Sequence, residues 1–302
     1  MKQTSLPLWD LDSSSPLQRY LPSEIFLFRR DIKRYYKKYG RVQPWRYSTN
    51  TYHVLVSEIM LQQTQVPRVL EKFPQFIEQF PTYQALAAAT LGEIMMVWQG
   101  LGYNRRARFL REIAIKICFE HDGILPRNPN TLATFPGIGP ATAGSLLAFA
   151  YNEPVVFIET NIRRVFIHSF FELKEEKVHD NELYPLVKAA LDYDNPREWY
   201  YALMDYGSML AKQGYNPNRH SAHYTSQPAF EGSDRQIRGV ILRALIQQGR
   251  LSENEIKNYI TDSTDASHLI SCNYERLKQV LDSLARDHLI VAEDMGSYII
   301  AP

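Results

Sequence analysis

The chain has 302 residues, 45% of them hydrophobic and 22% charged, with a net charge of +1. That composition suits a soluble globular protein of about two domains and is less basic than most nucleic-acid-binding proteins. The two cysteines, Cys118 and Cys272, exclude a disulfide scaffold, the amino terminus lacks a signal-peptide pattern, and no apolar run reaches the roughly 20 residues of a membrane helix, so we expect a cytoplasmic protein.

The predicted elements of the first two-thirds of the chain are helices. Residues 1–22 lack periodicity and predict a flexible lead-in, and a helical pattern follows over 23–39. From residue 51 to 211 the apolar spacing stays helical and no strand is predicted, which favours an all-α fold around one core. After Pro67 and Pro81 the further segments expected to be helical are 83–97, 105–120, 141–151, 161–171, 181–192 and 196–213.

The last third changes character. Residues 214–233 are rich in Asn, Pro, Ser and Gly and predict a linker. Three helices over 234–248, 253–261 and 274–287, then two strands with a turn at Met295–Gly296, give 234–302 the element order of a winged-helix module. Contact with DNA and simple packing are equally supported for its basic side chains, which are Arg235, Arg238, Arg243, Arg276 and Lys278.

The segment FPGIGPATAG, residues 135–144, places two glycines just before a helix. Glycine allows a tight turn and close approach of another molecule, and the amino end of a helix attracts a phosphate. We therefore predict a helix-hairpin-helix that grips the DNA backbone, in preference to a structural turn. Its DNA-contacting residues are predicted to be Pro136, Gly137, Ile138, Gly139, Ala141 and Thr142.

The segment SEIMLQQTQV, residues 57–66, carries a possible general acid. Glu58 follows Val54 by one helical turn, so its carboxylate leaves the helix beside apolar side chains. Desolvation there would raise its pKa and keep it protonated, as a general acid requires. The amides of Gln62 and Gln63 can bond to base edges. A solvated glutamate with surface glutamines is the alternative.

Two other segments are candidates for chemistry. In VVFIETNIRRV, residues 155–165, Glu159 ends a buried run and could either stabilise positive charge on a sugar or cap the helix that contains Asn161. In WQGLGYNRRARFL, residues 98–110, Tyr103 at a glycine-flanked turn precedes three arginines. One interpretation is that the tyrosine stacks on a base while Arg105, Arg106 and Arg108 contact phosphates. The alternative is that the arginines form a solvated face and the tyrosine belongs to the core.

Together these segments resemble a known family. YGRVQPWR, SEIMLQQTQV, GLGYNRRAR, FPGIGPATAG, ETNIRRV and MDYG occur in the order and spacing of the helix-hairpin-helix DNA glycosylases, and most closely resemble adenine DNA glycosylases of the MutY type, over about residues 29–212. The resemblance implies two helical domains with DNA between them. A six-helix barrel with the hairpin would span 47–151, and the terminal-helix domain would combine 23–46 with 152–213.

The resemblance also implies a reaction and its residues. The family flips adenine out of a mispair, usually with 8-oxoguanine, and hydrolyses its N-glycosidic bond. Glu58 matches the glutamate that protonates the leaving adenine, and Asn161 the asparagine that supports the reacting centre. Gln63 matches the glutamine wedged into the duplex, and Tyr103 the tyrosine beside the orphaned base.

Four departures from the family pattern carry expectations. The family aspartate falls on Glu159, one methylene longer, and Ala141 stands where endonuclease III enzymes have a nucleophilic lysine, so we expect no lysine-dependent lyase activity. Residues 211–227 lack the cysteines that hold an iron–sulfur cluster, so no cofactor and no metal site is expected. The terminal module differs from the family domain that inspects 8-oxoguanine.

The net charge hides an uneven distribution. Residues 29–46 carry eight Lys/Arg against one acid, and residues 104–116 carry five against one. Local basic faces of this kind can bind nucleic acid although the net charge is low, so double-stranded DNA is the expected partner. The expected protein is a monomer in the cytoplasm, on the nucleoid if bacterial. A glycosylase for another damaged or deaminated base, or a non-catalytic DNA-damage-binding protein, is the alternative.

Overall fold

The computed structural model describes residues 20–171, 176–214, 216–226, 229–262 and 274–302. The chain divides into two compact units. The first unit combines Met1–Arg46 with Gly139–Ser226, and the second unit combines Tyr47–Ile138 with Gln227–Pro302. Each unit is therefore built from segments that are distant in the sequence. The predicted lead-in, residues 1–22, lies almost wholly outside the described residues.

The described part of the chain is mainly helical. In chain order its α-helices are α1 (Pro22–Tyr39), α2 (Thr51–Leu61), α3 (Val66–Gln79), α4 (Tyr83–Ala88), α5 (Leu91–Trp98), α6 (Arg105–Glu120), α7 (Pro129–Ala133), α8 (Pro140–Tyr151), α9 (Thr160–Phe170), α10 (Asp180–Ala190), α11 (Pro196–Lys212), α12 (Asp234–Gln248), α13 (Glu253–Asp262) and α14 (Tyr274–Arg286). Its strands are β1 (Leu251–Ser252), β2 (Ile290–Glu293) and β3 (Ser297–Ile300). None of these helices is long and apolar enough to cross a lipid bilayer.

Helix α11 forms the centre of the first unit. It packs against α1, α8 and α9, and its Trp199 and Tyr200 are almost fully buried. The ring of Phe149 on α8 stacks on Tyr201 with the two centroids 4.5 Å apart. This packing places α8 in the first unit, whereas the resemblance assigns residues up to 151 to the barrel segment.

In the second unit, helices α2 to α7 surround a core that contains Phe76 and Trp98. The single helix predicted over 83–97 is wrong, because α4 ends at Ala88 and α5 begins at Leu91. Thr90 causes the break. Its hydroxyl accepts the backbone N–H of Glu93 at 3.3 Å, and the Glu93 carboxylate accepts the Thr90 N–H at 2.7 Å. This reciprocal capping starts a new helix.

Residues 234–302, called the C-terminal module below, form three helices and a small sheet. The sheet is antiparallel with the strand order β1-β3-β2, and Ala292 pairs with Tyr298. The three helices and the closing strand pair agree with the sequence pattern. Strand β1 is not predicted from the sequence. It has only two residues, too few to show the alternation of apolar and polar side chains that marks a strand.

The predicted linker over 214–233 is partly built into the first unit. Pro217–His220 forms a short 3-10 helix against α9, and the buried Asn218 side chain donates to the Thr160 carbonyl at 3.0 Å. Val178 pairs with Ser221 in an isolated parallel bridge. These bonds satisfy polar groups that a free linker would leave to water, so residues 217–222 belong to the packed structure.

Candidate active site

Glu58 lies on a helix that is almost entirely core. The Asn50 side chain caps α2 by accepting the Tyr52 N–H at 2.9 Å, and Val54, Leu55 and Ile59 of α2 are at most 2% exposed. Glu58 itself is half-buried. The carboxylate is therefore carried by a rigid element, as a positioned acid requires.

The turn that follows α2 presents an exposed glutamine. Gln63 is exposed and has a φ of +54°, a left-handed conformation that is uncommon for residues other than glycine. Gln62 lies next to it, and its amide donates to the carbonyl of Gly137 at 3.1 Å. The structure thus places Gln63 at the exposed surface of this turn, and it joins the Gln62 amide to the hairpin.

Arg106 is wrongly predicted to be a phosphate contact. Arg106 is only 6% exposed, and burial lowers the pKa of its guanidinium to about 10. Nη1 donates to the carbonyls of Ile59, Met60 and Gln62 at 2.6–2.9 Å. Nη2 donates to the carbonyl of Gly102 at 2.9 Å. The buried cation therefore joins the carboxyl end of α2 to the turn before α6 and cannot reach DNA.

Tyr103 lies on that second turn and has a φ of +46°. Its hydroxyl accepts a hydrogen bond from Arg235 Nη1 at 2.6 Å, and the Arg235 guanidinium lies 5.4 Å from the ring centroid. The two remaining arginines of the motif also have partners. Arg105 lies 3.4 Å from Asp287 and stays 57% exposed, whereas Arg108 pairs with Glu112 at 2.7 Å.

The hairpin glycines serve two different purposes. Gly137 has a φ of +74°, and a Cβ at this position would lie 2.6 Å from the ring of Phe109, so only glycine fits. The Ile138 side chain is 4% exposed and anchors the turn in the core, so the predicted DNA contact of this residue would have to come from its main chain. Gly139 is exposed, and a Cβ there would meet no atom within 4 Å.

Helix α8 begins directly after Gly139. Pro140 occupies its first position, where no N–H is needed, and Ala141 and Thr142 follow as half-buried residues. In the first turn of a helix the backbone N–H groups have no helical carbonyl four residues earlier to bond to. This gives the amino end of the helix a positive electrostatic character. The open surface at Gly139 lies beside that end, as a backbone grip requires.

Glu159 caps helix α9. Its Oε1 accepts the backbone N–H groups of Asn161 and Ile162 at 2.8 and 3.0 Å, and Oε2 accepts the Asn161 side-chain amide at 3.3 Å. Burial raises the pKa of the Glu159 carboxyl above its ordinary value, and the two backbone bonds together with the charges of Arg164 and Arg163 oppose that rise. The carboxyl group is buried, although part of the residue as a whole remains exposed.

Two residues that support Glu159 and Asn161 are absent from the sequence prediction of the site. Arg164 Nη1 donates to the Asn161 side-chain oxygen at 2.8 Å and to the Gly207 carbonyl at 2.9 Å. Gly207 on α11 lets α9 approach, since a Cβ there would lie 2.6 Å from the Asn161 carbonyl oxygen. A glycine inside the helical pattern MDYG is the signal that indicates such a close contact.

Replacing Gly207 with Ala is therefore expected to destabilise the first unit by about 1–3 kcal/mol, because backbone atoms must move to admit the methyl group. Urea denaturation measures the change. Gly239→Ala is the matched control, because Gly239 lies inside α12 with no atom within 4 Å of its Cβ position, so stability there should rise by about 0.5–1 kcal/mol. Equal behaviour of the two variants would contradict the close contact.

The basic segment at residues 29–46 is partly used inside the first unit. Arg46 binds both carboxylate oxygens of Asp205 at 2.7 and 2.9 Å, and Arg41 Nε adds a bond of 2.6 Å. Burial alone would raise the pKa of Asp205, but the hydrogen bonds and charges of Arg46 and Arg41 hold it below its ordinary value. Arg29 and Lys33 likewise pair with Asp192, so the basic face is smaller than the charge count suggests.

Comparison with known proteins identifies the family to which this chain is similar. The family described as HhH-GPD superfamily base excision DNA repair protein matches residues 56–183. The chain is 35% identical over 232 residues to the adenine DNA glycosylase of Mycolicibacterium smegmatis, with 71% of this chain and 79% of the relative covered. It is 33% identical over 232 residues to the adenine DNA glycosylase of Mycobacterium tuberculosis, with 70% and 76% covered.

The fold also has solved counterparts. A thermostable thymine-DNA glycosylase superposes with a TM-score of 0.57 at 21% identity, covering 66% of this chain and 93% of that one. At this level of identity the likeness concerns the fold alone. It confirms the mainly helical architecture of the helix-hairpin-helix glycosylases.

Proposed function

Because this chain belongs to the adenine DNA glycosylase family of the HhH-GPD superfamily, we propose that it is a monofunctional DNA glycosylase of base excision repair. Its substrate is an adenine mispaired with 8-oxoguanine or guanine in double-stranded DNA, and it hydrolyses the N-glycosidic bond of the flipped base. The observation that carries this proposal is the 35% identity over 232 residues to an adenine DNA glycosylase.

Extrusion of the adenine comes first, since the bond is out of reach inside a duplex. Gln63, exposed on a left-handed turn, would fill the gap left by the adenine, and Tyr103 would stack beside the opposite base. The hairpin at Gly137 and Gly139 would hold the phosphate backbone without reading sequence. The exposed guanidinium of Arg105 would add a phosphate contact.

Hydrolysis then needs an acid on the base and an anion near the sugar. Glu58 would protonate the departing adenine and guide the water, and ionised Glu159 would stabilise the positive charge that develops on the sugar. The capping role of Glu159 leaves room for this second role, because a carboxylate offers about four acceptor positions and the described bonds use three. Asn161, held by Arg164, would keep the carboxylate in place.

The cleavage rate is expected to fall in acid as Glu159 takes up a proton. Because the pKa of Glu159 lies above its ordinary value of 4.5, the ionised form is lost at a higher pH than in a free glutamate. Single-turnover rates measured against pH test this. Glu159→Gln keeps an oxygen for the cap and should slow cleavage by about 100-fold or more, whereas Glu159→Asp should retain the acidic limb. A rate independent of pH and equal in Glu159→Gln would leave Glu159 as a cap only.

A panel of duplex oligonucleotides tests the substrate. It contains adenine opposite 8-oxoguanine, adenine opposite guanine, uracil or thymine opposite guanine, and alkylated bases. Alkali-sensitive sites at the adenine support the proposal. Cleavage only at another lesion would identify a glycosylase for that base, and binding without cleavage of any duplex would identify a non-catalytic DNA-damage-binding protein.

We propose that strand breaks require added alkali. Lysine-dependent lyase chemistry needs an amine that attacks the sugar, and Ala141 at the second position of α8 supplies none. Borohydride should therefore trap no covalent complex between this protein and DNA that it has cleaved. A trapped complex would overturn this part of the proposal.

We also propose that the protein folds without an iron–sulfur cluster. Such a cluster is held by thiolates, and residues 211–227 contain no cysteine, so the residues present do not fit it. The segment is held by hydrogen bonds instead, including Val178 N–H to the His220 carbonyl at 2.8 Å and Ala222 N–H to the Val178 carbonyl at 2.9 Å. Iron and sulfide assays of the purified protein should give far less than one cluster per chain, and a stoichiometric content would contradict the proposal.

The remaining proposals concern the cellular setting. The protein is proposed to act as a monomer, in the cytoplasm and on the nucleoid if the source is bacterial. Light scattering after size-exclusion chromatography, with and without duplex DNA, distinguishes one chain per duplex from a dimer.

A further inference from the structure

An arginine of the C-terminal module contacts the tyrosine proposed to lie beside the opposite base. Arg235 is in the first turn of α12, 132 residues after Tyr103 in the chain. It donates to the phenolic oxygen at 2.6 Å, and its guanidinium lies 5.4 Å from the Tyr103 centroid and 5.2 Å from that of Phe230. A charge-assisted bond and two cation–π contacts thus converge on a single guanidinium.

The C-terminal module presents Arg235 from a fixed base. All the contacts concerned lie within the second unit. Asp287 is shared by Arg105, at 3.4 Å, and Arg238, at 2.5 Å, so the end of α14 is tied to the start of α6. Arg111 donates to the carbonyl of Pro302 at 3.3 Å, and α12 packs on α5. The module therefore holds Arg235 at a defined position relative to the turn that carries Tyr103.

That turn needs such support. Gly100 and Gly102 both have positive φ, of +89° and +71°, and glycines leave the backbone more conformational freedom than other residues do. Arg106 fixes the backbone on the core side through the Gly102 carbonyl, as described above. Arg235 fixes the side chain of Tyr103 at its hydroxyl end. A stacking ring held at both ends loses less entropy on binding a base than a mobile ring does.

We propose that Arg235 is a positioning residue for recognition of the base opposite the flipped adenine, and that it acts through Tyr103. The C-terminal module thereby takes part in choosing the mispair, although it does not itself touch the reacting bond. This inference rests on the proposed function for the role of Tyr103. Its specific content is that loss of Arg235 weakens discrimination between opposite bases more than it weakens attachment to DNA.

Binding of uncleavable duplexes tests the proposal in the full chain. The target nucleotide is 2′-fluoro-2′-deoxyadenosine, whose fluorine disfavours positive charge on the sugar and prevents cleavage. Dissociation constants are measured for this nucleotide opposite 8-oxoguanine, opposite guanine and opposite thymine. The variants are Arg235→Met, Arg235→Lys, Tyr103→Phe and the double variant Arg235→Met/Tyr103→Phe. Arg286→Met, an exposed arginine of α14 in the same module, is the matched charge control.

In Arg235→Met the ratio of dissociation constants between the preferred and the thymine-paired duplex is expected to fall about five- to tenfold, with partial recovery in Arg235→Lys. Tyr103→Phe should lose a similar amount, and the double variant no more than either single variant. Arg286→Met should leave the ratio unchanged. Thermal midpoints measured on each variant show that the losses do not come from unfolding.

Three results would overturn the proposal. One is an unchanged ratio in Arg235→Met, and another is equal weakening of all duplexes, which marks a simple phosphate contact. The third is equal binding of all three duplexes by the unaltered protein, since no recognition would exist for Arg235 to support. Failure of the proposed function would be recognised separately, because it is an absence of adenine excision from the unmodified duplexes and leaves the binding ratios measurable.

Discussion

Glu58→Gln is expected to reduce single-turnover excision of adenine by at least about 100-fold while leaving DNA binding intact. Glutamine has nearly the shape of glutamate but carries no proton for the departing base. Because α2 is packed into the core along most of its surface, the change should remove the acid without moving the helix. Quenched-flow cleavage at saturating protein gives the rate, and titration of the uncleavable duplex gives the affinity.

The matched control for this prediction is Glu71→Gln, an exposed glutamate on the neighbouring helix α3. It removes the same charge from the same unit and should change the rate less than about twofold. An unaltered rate in Glu58→Gln would exclude Glu58 as the acid. Loss of binding as well as cleavage would assign Glu58 to the pocket that holds the base instead of to proton transfer.

Arg106→Met is expected to lower the free energy of unfolding by at least about 3 kcal/mol. The variant leaves several buried carbonyl oxygens without their donor, and each orphaned group costs about 1–3 kcal/mol when water cannot replace the bond. Arg106→Lys should recover little, since one ammonium cannot serve both the end of α2 and the turn at Gly102. Thermal unfolding should show a fall of the midpoint by several degrees, at about 2–4 °C per kcal/mol.

Arg105→Met is the control for Arg106→Met. Arg105 is the preceding residue, is 57% exposed and has an ion pair at 3.4 Å, so its loss should cost less than about 1 kcal/mol. Hydrogen exchange adds a local measurement. In Arg106→Met the amides of residues 61–64 and 101–104 should exchange faster together, because one side chain holds both turns. Independent behaviour of the two turns would contradict the bridging role.

The contrast between these adjacent arginines shows what the sequence could have predicted. In RRAR the three cations look alike, but Arg106 lies four residues before Leu110 and seven before Ile113, on the face of α6 that is buried. Helical phase therefore separates it from its neighbours, and the same reasoning applies to the break at Thr90, where a T-x-x-E pattern precedes α5. Both signals are present in the sequence.

Other features could not be derived from one sequence. The cap formed by Glu159 is an exception, because it is local: its partners lie two and three residues away, and the sequence predicts it as one of two roles. The other role, at the sugar, stays a prediction. The bond between Tyr103 and Arg235 joins residues 132 positions apart, and no periodicity or spacing specifies such a pair. The mainly helical fold and the family could be predicted because each depends on several motifs in order, and both predictions are confirmed. The roles of the individual site residues stay predictions.

The pairing of Arg41 and Arg46 with Asp205 has a consequence for synthesis of the chain. These partners are 164 and 159 residues apart, so the first unit cannot close until α11 has left the ribosome. Until then the apolar face of α1 stays exposed, whereas α2–α7 of the second unit can already fold through contacts that are local in the sequence. Translation should therefore yield an early α2–α7 intermediate before α1 docks on α11, and limited proteolysis of stalled nascent chains should show protection of α1 only after α11 has emerged.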